Sequence, residues 1–452
     1  MNRMHRRRFL KALGAGGLVY ALGRTPGTVW AQAAGANGFS DYRALVCVFL
    51  FGGNDSWSLF VPRSDAEYAV YAQSRQNLAI PRDAVLPVTA SNGNGVDYGF
   101  HPSMTGLASL FEAERCAVIA NVGPLIRPTT KAEYAAGVAD LPPQLFSHND
   151  QQDQWHSLKG KATLSSGWAG RMADALAAQV AGQQLALNVS LSGNTLFQAG
   201  EVATPYVMGA TGAVAFDGLG ADGFEPARRA AFQRIIAASR GDVYARAYGD
   251  VQQRALASAD RVNAALAAAP PLATVFPSGS PLATQLQTVA RIIAVREQLG
   301  MTRQVFFVAT GGFDTHDFQL DDQPGLLANL SASLAAFYAA TVELGVASNV
   351  TTFTQSDFGR TLTSNGDGSD HAWGGVQLAI GDAVRGRTIY GDYPLLELDG
   401  PVDVGAGRMI PAVSSDQYAA TLARWFGIDD AGLAAVAPSI GNFVTRDLGF
   451  VA

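Results

Sequence analysis

The sequence lacks the motifs that several common protein functions require. It contains no Walker-type Gly-Lys-Ser/Thr motif, and Gly52-Gly53-Asn54 lacks the spaced glycines of a dinucleotide-binding fingerprint. Beyond the N-terminal segment, no apolar run is long and unbroken enough to span a bilayer. These absences argue against a nucleotide-binding module, a dinucleotide-dependent redox enzyme and a membrane-spanning chain.

Basic residues are also scarce. The chain has 32 Lys and Arg against 38 Asp and Glu, which gives a formal net charge of −6. Six of the positive charges lie in the first 33 residues, so the remaining chain carries a formal charge of −12. Binding to a nucleic acid requires a clustered basic face that neutralises phosphates. The composition therefore predicts no nucleic-acid partner.

Cysteine is nearly absent, with two residues in the chain. Cys47 and Cys116 both lie inside apolar runs typical of strands. An oxidising compartment would permit a disulfide between them if the two strands are neighbours. The alternative, which we favour, is a pair of buried thiols that act as small core residues.

The first 33 residues have the features of a twin-arginine signal peptide. Arg6-Arg7-Arg8-Phe9-Leu10-Lys11 resembles the twin-arginine consensus, although His5 stands where Ser or Thr is usual. The apolar stretch at 12–22 is far shorter than the ~20 residues of a membrane span, and Ala31-Gln32-Ala33 matches the pattern that signal peptidase cleaves. We expect a periplasmic or secreted protein that uses the twin-arginine export machinery and keeps no stable membrane span after cleavage. The alternative is an uncleaved N-terminal anchor.

Strand-like and helix-like patterns alternate after residue 33, which is typical of an α/β fold. Continuous apolar runs predict buried strands at 44–51, 116–122 and 305–310, and Val350-Thr351-Thr352-Phe353-Thr354 predicts a fourth strand at 350–354. Helical spacing of apolar residues predicts helices at 281–299, 326–344 and 417–426. We therefore predict a three-layer α/β fold, with a mostly parallel sheet, helices on both of its faces and an added helical layer or cap at about 225–269. Residues 34–452 would form a single domain.

Acidic residues and histidines follow the predicted strands. They are Asp55 after the first strand, Asp314 and His316 after the third, Asp357 after the fourth, and Asp370 and His371 in a further loop. Ligands bind beyond the carboxyl ends of parallel strands, so we expect these side chains to converge in one pocket. Carboxylates and imidazoles suit a divalent metal such as Zn, Mn, Mg or Ca. The predicted metal-binding residues are Asp55, Asp314, His316, Asp357 and His371; the alternative is that the aspartates cap helices and turns.

Ser147 and His148 form a second candidate feature. Pro142-Pro143 halts the chain, and Ser147 has the position of the N-cap of a helix that continues through Trp155. A helix N-terminus attracts anions, so a serine there could attack a phosphoryl or sulfuryl group. We predict Ser147 and His148 as catalytic residues; the alternative is an ordinary capping serine beside a structural histidine.

With these residues in view, the sequence resembles an exported bacterial family designated domain of unknown function 1501. The matching stretches are Phe51-Gly52-Gly53-Asn54-Asp55, Ser147-His148 with Gly167-Trp168-Ala169-Gly170-Arg171, Gly312-Phe313-Asp314-Thr315-His316, Ser356-Asp357-Phe358-Gly359-Arg360-Thr361 with Asp370-His371-Ala372-Trp373-Gly374, and Asp416-Gln417-Tyr418-Ala419-Ala420-Thr421-Leu422. That family is similar to the alkaline phosphatase and sulfatase superfamily, whose members bind metal at strand ends. The resemblance implies an alkaline-phosphatase-like domain.

The resemblance also implies roles for the candidate residues. Asp55 corresponds to the first-strand aspartate, Asp314 and His316 to the Asp/His pair, Asp357 to the aspartate of an Asp-His or Asp-Asn pair, His371 to the last histidine, and Ser147 to the nucleophile region. Phe358 stands where the superfamily has a second ligand, the spacing of Asp314 and His316 is shorter than in a phosphatase, and no Cys-x-Pro-x-Arg motif is present.

These features predict a metal-dependent hydrolase of phosphate or sulfate esters, acting on a small-molecule or polymer ester. Either Ser147 or water would be the attacking group. The alternative is a non-catalytic exported binding protein that retains the phosphatase-like fold.

Overall fold

The structure is a computed structural model that describes residues 38–163, 165–213, 218–220, 223–238 and 242–452. The predicted signal peptide at residues 1–33 lies outside the described residues.

The described residues form fourteen strands and twelve α-helices. The strands are β1 (Arg43–Leu50), β2 (Phe60–Pro62), β3 (Leu86–Val88), β4 (Tyr98–Phe100), β5 (Cys116–Gly123), β6 (Asn188–Ser190), β7 (Tyr206–Val207), β8 (Arg303–Thr310), β9 (Val350–Ser356), β10 (Arg360–Ser364), β11 (Ser369–His371), β12 (Gly375–Ile380), β13 (Ile389–Tyr390) and β14 (Val413–Ser414). The helices are α1 (Ser56–Leu59), α2 (Asp65–Arg75), α3 (Thr105–Glu112), α4 (Lys131–Ala135), α5 (His148–Ser157), α6 (Trp168–Ala175), α7 (Glu225–Ala238), α8 (Val243–Ala268), α9 (Pro281–Ala294), α10 (Gln319–Glu343), α11 (Ser415–Phe426) and α12 (Asp430–Val436).

One nine-stranded sheet organises the fold. Its strand order is β13-β5-β12-β9-β1-β8-β6-β7, with β14 paired to β5. Within the described residues, only β12 runs against its neighbours in this sheet, and every other pairing is parallel. The predicted mostly parallel sheet is therefore confirmed. The four predicted strands correspond to β1, β5, β8 and β9, and each boundary differs from the prediction by at most two residues.

Helices cover both faces of the sheet, as predicted. Strand β1 shows why, because its alternate residues enter two separate cores. Val46 and Val48 pack in a core that contains residues of α3, α9 and α10, whereas Leu45 and Phe49 pack in a core that contains residues of α5, α6, α11 and α12. A strand buried on both faces needs continuous apolarity, which is the pattern that the sequence shows.

The helices confirm the predicted elements with shifted ends. Helix α9 begins at Pro281 and ends earlier than predicted, and α10 begins at Gln319, seven residues before the prediction. Helix α11 starts with a capping box in which Ser414 and Gln417 bind each other's backbone N–H groups. The stretch predicted as a helical layer at about 225–269 contains α7 and α8.

Both cysteines are free and buried. Strands β5 and β1 are separated by β12 and β9. Three interstrand steps of roughly 4.8 Å exceed the Cα separation of about 7 Å that a disulfide tolerates. The two cysteines are therefore core thiols, and the disulfide alternative is wrong.

Helix α10 is the one described helix that is long and apolar enough to cross a membrane. Its apolar side packs in the protein core through Leu327, Leu330, Leu334 and Phe337. Helix α10 therefore has the packing of a core helix, and its length and composition alone are weak evidence for a membrane span.

Candidate metal centre

Four loops meet at the edge of the sheet where the parallel strands end. The loop after β8 carries Asp314 and His316, and the residue after β9 is Asp357. Because β12 runs antiparallel, it begins at this same edge, and His371 lies just before it. The first residue of α5, His148, contacts Asp357 and so joins the same place.

Three side chains at this edge form a compact group. His148, Asp314 and His371 each offer one ligand atom, and these atoms lie within 4.8 Å of one another. His371 Nε2 is 3.3 Å from Asp314 Oδ1, and His148 Nε2 is 3.3 Å from Asp314 Oδ2. Two imidazoles and one carboxylate are a donor set for a transition-metal ion.

Each imidazole in the group has its other nitrogen fixed by an acceptor. His148 Nδ1 lies 2.6 Å from Asp357 Oδ2, and His371 Nδ1 lies 2.8 Å from the carbonyl oxygen of Phe146. A carbonyl and a carboxylate accept hydrogen bonds, so both Nδ1 atoms carry the proton and both Nε2 atoms have a lone pair when the rings are neutral. Within the described residues, buried His148 Nε2 forms no hydrogen bond. The group therefore fits a bound cation.

A third histidine lies beside the group. His316 Nε2 is 3.3 Å from Asp314 Oδ1 and 2.9 Å from His371 Nε2. Its Nδ1 is 3.0 Å from Asp370 Oδ1, so the ring again donates at Nδ1. A hydrogen bond between the two Nε2 atoms places a proton on one of them, so the His316 imidazole lies where a proton can be exchanged beside the ligand group.

The charged side chains at the centre favour the binding of a cation. The Arg360 guanidinium is fully buried, contacts Asp314 and donates to the carbonyls of Gly52 and Gly53. The carboxylates of Asp314, Asp357 and Asp370 lie near two arginines, since the charge of Arg408 also acts on Asp370. Three negative charges against two positive charges leave a net negative charge, which favours a bound cation.

The pKa shifts favour the protonation states that metal ligands need at Asp314 and His371, but not at His148. Burial alone would raise the pKa of Asp314, but the hydrogen bond and charge of Arg360 hold it below its ordinary value. Burial lowers the pKa of His371, which favours the neutral ring. The hydrogen bond to Asp357 raises the pKa of His148 against the effect of burial. Asp314 is therefore ionised and His371 neutral near pH 7.

Asp357 stabilises the group through its hydrogen bond with His148. Its side chain is fully buried, and the same oxygen, Oδ2, accepts from His148, from Gln152 Nε2 at 3.1 Å and from the Gly52 N–H at 3.2 Å. Asp357 therefore contacts the proposed ligand group through His148, as an outer-shell carboxylate does.

Asp55 lies in a separate buried network. Its carboxylate pairs with the Arg75 guanidinium at the end of α2 and accepts from Ser58 and from Gln319 Nε2. Oxygen Oε1 of Gln319 in turn accepts from Thr315 and Ser369. Since Thr315 precedes His316 and Ser369 precedes Asp370, this network holds the two loops that carry the group, and Asp55 is not itself within the group.

Ser147 is the N-cap residue of α5, as predicted, but its side chain forms no cap hydrogen bond. Its hydroxyl lies 2.6 Å from Asp150 Oδ2. Within the described part of the chain, no hydrogen bond or ion pair links the Ser147 side chain to His148, Asp314 or His371.

Sequence reasoning placed His148 outside the metal-binding set and did not assign a role to Arg360, Asp370, Gln319 or the Phe146 carbonyl. The adjacent Asp370-His371 pair was a usable signal, since the two residues are neighbours in the short strand β11. The other contacts join distant segments, and a backbone carbonyl has no signature in a sequence.

The family described as "Protein of unknown function (DUF1501)" matches residues 42–436. No curated protein matches the chain.

Among solved structures, the chain is similar to lipoteichoic acid synthase LtaP from Listeria monocytogenes, with 7% identity over 93% of this chain and 80% of that chain and a TM-score of 0.35. It is similar to PsFucS1 sulfatase from Pseudoalteromonas sp., with 9% identity over 95% and 77% of the two chains and a TM-score of 0.34. It is also similar to wild-type alkaline phosphatase PafA, with 10% identity over 72% and 64% and a TM-score of 0.30.

Proposed function

We propose, from the premise that this chain belongs to the DUF1501 family of proteins of unknown function, that it is a metal-dependent hydrolase of phosphate or sulfate esters. The family match confirms the resemblance that the motifs predicted. The resemblance supports phosphate or sulfate esters as the substrate class. The side chains at the sheet edge support a metal-dependent reaction.

One observation carries the proposal. Two imidazoles with protonated, acceptor-bound Nδ1 atoms direct their Nε2 atoms at the carboxylate of Asp314. This arrangement fixes the tautomer that a metal ligand requires. We therefore assign His148, Asp314 and His371 as the residues that would hold one divalent ion. Two imidazole ligands favour Zn²⁺ over Mn²⁺, Mg²⁺ or Ca²⁺, for which oxygen ligands are better suited.

Different residues of the chain would have different roles in the reaction. A bound divalent ion would polarise the ester and stabilise charge on its oxygen. Arg360 keeps Asp314 ionised, and Asp357 keeps His148 in the ligand tautomer. His316, supported by Asp370, holds the proton that the leaving oxygen needs. Because, among the described residues, no hydrogen bond links the Ser147 side chain to the ligand group, we assign the attack to water.

The test separates metal binding from proton transfer. Purified protein is analysed for metal, stripped with a chelator, reloaded with Zn²⁺ or Mn²⁺, and assayed with aryl phosphates and aryl sulfates. His371→Ala should lose both the metal and activity. His316→Gln should keep the metal while kcat falls by about 10²–10⁴-fold, the usual contribution of general acid catalysis.

Two results would contradict the assignment. If the wild-type chain binds no divalent ion and turns over no ester with any of them, it is not a metal-dependent hydrolase. If it binds an ion but turns over neither class of ester, the alternative of a non-catalytic binding protein is favoured.

We also propose that the protein acts outside the cytoplasm. The support is the sequence of residues 1–33, with its paired arginines, short apolar stretch and cleavage pattern. The purified exported protein should begin at residue 34, and replacing Arg6 and Arg7 by Lys should leave the full-length chain in the cytoplasm. Normal export of the doubly substituted chain would contradict this proposal.

A further inference from the structure

An aromatic side chain lies against both histidines of the proposed ligand group. Phe358 follows Asp357 at the end of β9, and only 2% of its surface is exposed. Its ring centroid is 4.5 Å from that of His371 and 4.9 Å from that of His148. The two imidazoles are in turn 4.3 Å apart. The three rings therefore form one packed cluster.

The backbone of the loop after β1 makes room for this ring. Gly53 has a φ of +82°, which a residue with a side chain rarely adopts. A Cβ atom on Gly53 would lie 2.3 Å from Cε2 of Phe358. Position 53 thus requires glycine both for its backbone conformation and for the missing side chain. The Phe358 ring occupies the space that a side chain on residue 53 would fill.

The Nδ1 hydrogen bonds do not fix the imidazoles completely. A single hydrogen bond holds one nitrogen but leaves the ring free to turn about the bond, and such a turn moves Nε2 away from Asp314. The Phe358 ring is tilted by 34° against His371 and by 40° against His148. Contact with both rings blocks that turn, and the buried apolar ring also excludes water from this side of them.

We propose that Phe358 is a positioning residue that fixes the ring orientations of His148 and His371, so that their Nε2 atoms stay directed at one point. This inference rests on the proposed function in assigning those nitrogens to a metal ion. The orientation of the rings themselves is a property of the metal-free protein, and it can be measured without an ion.

Phe358→Leu removes the planar ring and keeps an apolar side chain. Phe353→Leu is the matched control, because Phe353 is a fully buried residue of β9, five residues before Phe358, whose ring packs against Trp168 and Tyr418. Both substitutions should lower thermal stability. Only Phe358→Leu should weaken Zn²⁺ binding, by about tenfold or more, as loss of outer support for metal ligands commonly does.

The second measurement uses metal-free protein with ¹⁵N-labelled histidine. The Nδ1–H signals of His148 and His371 should be visible in the wild type and in Phe353→Leu, and lost through exchange in Phe358→Leu. Retention of both signals in Phe358→Leu, their absence from the wild type, or their equal loss in Phe353→Leu would overturn the inference.

The two readouts also separate this inference from the proposed function. A wild-type chain that binds no Zn²⁺ or Mn²⁺ refutes the metal assignment, and the histidine signals still decide the role of Phe358. If the wild type binds Zn²⁺ and Phe358→Leu binds it with equal affinity, the role of Phe358 is refuted although the metal assignment stands.

Discussion

Replacing Asp357 by Asn should weaken metal binding without disturbing the local structure. Oδ2 of Asp357 accepts all three of its hydrogen bonds, from Gly52, His148 and Gln152. Within the described residues, Oδ1 has no partner. An asparagine can therefore place its oxygen at the Oδ2 position and its NH₂ at the Oδ1 position, which keeps the three bonds, removes the charge and leaves a buried NH₂ without an acceptor.

The size of the effect follows from that geometry. A neutral amide oxygen supports the Nδ1–H of His148 less strongly than a carboxylate does, so His148 becomes a poorer ligand. Loss of an outer-shell partner commonly costs 10–100-fold in metal affinity, which is about 1.4–2.7 kcal/mol. The buried NH₂ without an acceptor should also cost about 1–3 kcal/mol of folding stability.

The assay is a competition titration of metal-free protein with Zn²⁺ and a chromophoric chelator, accompanied by urea unfolding. Asp370→Asn is the control, because Asp370 holds His316, which lies outside the ligand group. Asp370→Asn should change the Zn²⁺ affinity by less than about threefold while it lowers kcat. Wild-type affinity in Asp357→Asn, or an equal loss of affinity in Asp370→Asn, would refute the division between ligand support and proton transfer.

Three further predictions test other parts of the structure. Ser147→Ala should change kcat by less than about tenfold, because its side chain makes no hydrogen bond to the ligand group within the described residues; a loss of more than about 10³-fold would instead identify Ser147 as the nucleophile. Arg75→Met should lower the free energy of unfolding by about 3–5 kcal/mol, because it leaves the Asp55 carboxylate buried and unpaired; unfolding in urea measures this, and an effect below about 1 kcal/mol contradicts it. Burial raises the pKa of Asp416 from 3.8 to about 7, against the backbone hydrogen bond from Ser439, so its contribution to stability is complete below pH 4 and is lost as the pH rises through 7. Urea unfolding between pH 4 and 8 should show that fall in the wild type relative to Asp416→Asn, and parallel stability curves would contradict it.

The layered fold could be predicted because burial leaves a direct trace in the sequence. Strands β1, β5 and β8 are covered on both faces, so most of each appears as a run of apolar residues, whereas the equally buried β9 is recognised by its β-branched Val and Thr residues. Pro142-Pro143 likewise predicted a helix start at the N-cap residue Ser147, directly before the first residue of α5. Local sequence patterns were enough to predict these strands and this helix start, because burial of a strand and a break at proline act on neighbouring residues.

The candidate site was only partly predictable because its contacts are not local. Asp55 follows a strand just as Asp357 does, and nothing in the sequence shows that Arg75 on α2 neutralises it. The proton on His371 is fixed by a main-chain carbonyl 225 residues earlier in the chain, which any residue could provide. Residue type and position after a strand therefore identified the candidate residues. Whether each one belongs to the ligand group depends on the residue that it contacts.

The direction of β12 decides whether the group can form at all. In a sheet with every strand parallel, the start of β12 would lie at the opposite edge from the ends of β8 and β9. A strand of six residues spans roughly 20 Å, so His371 would then be far outside the reach of Asp314. Because β12 is antiparallel to both β9 and β5, the chain enters it at the edge where those strands end. The apolar sequence of β12 is compatible with either direction, and the short β10–β11 hairpin just before it brings the chain to the correct edge.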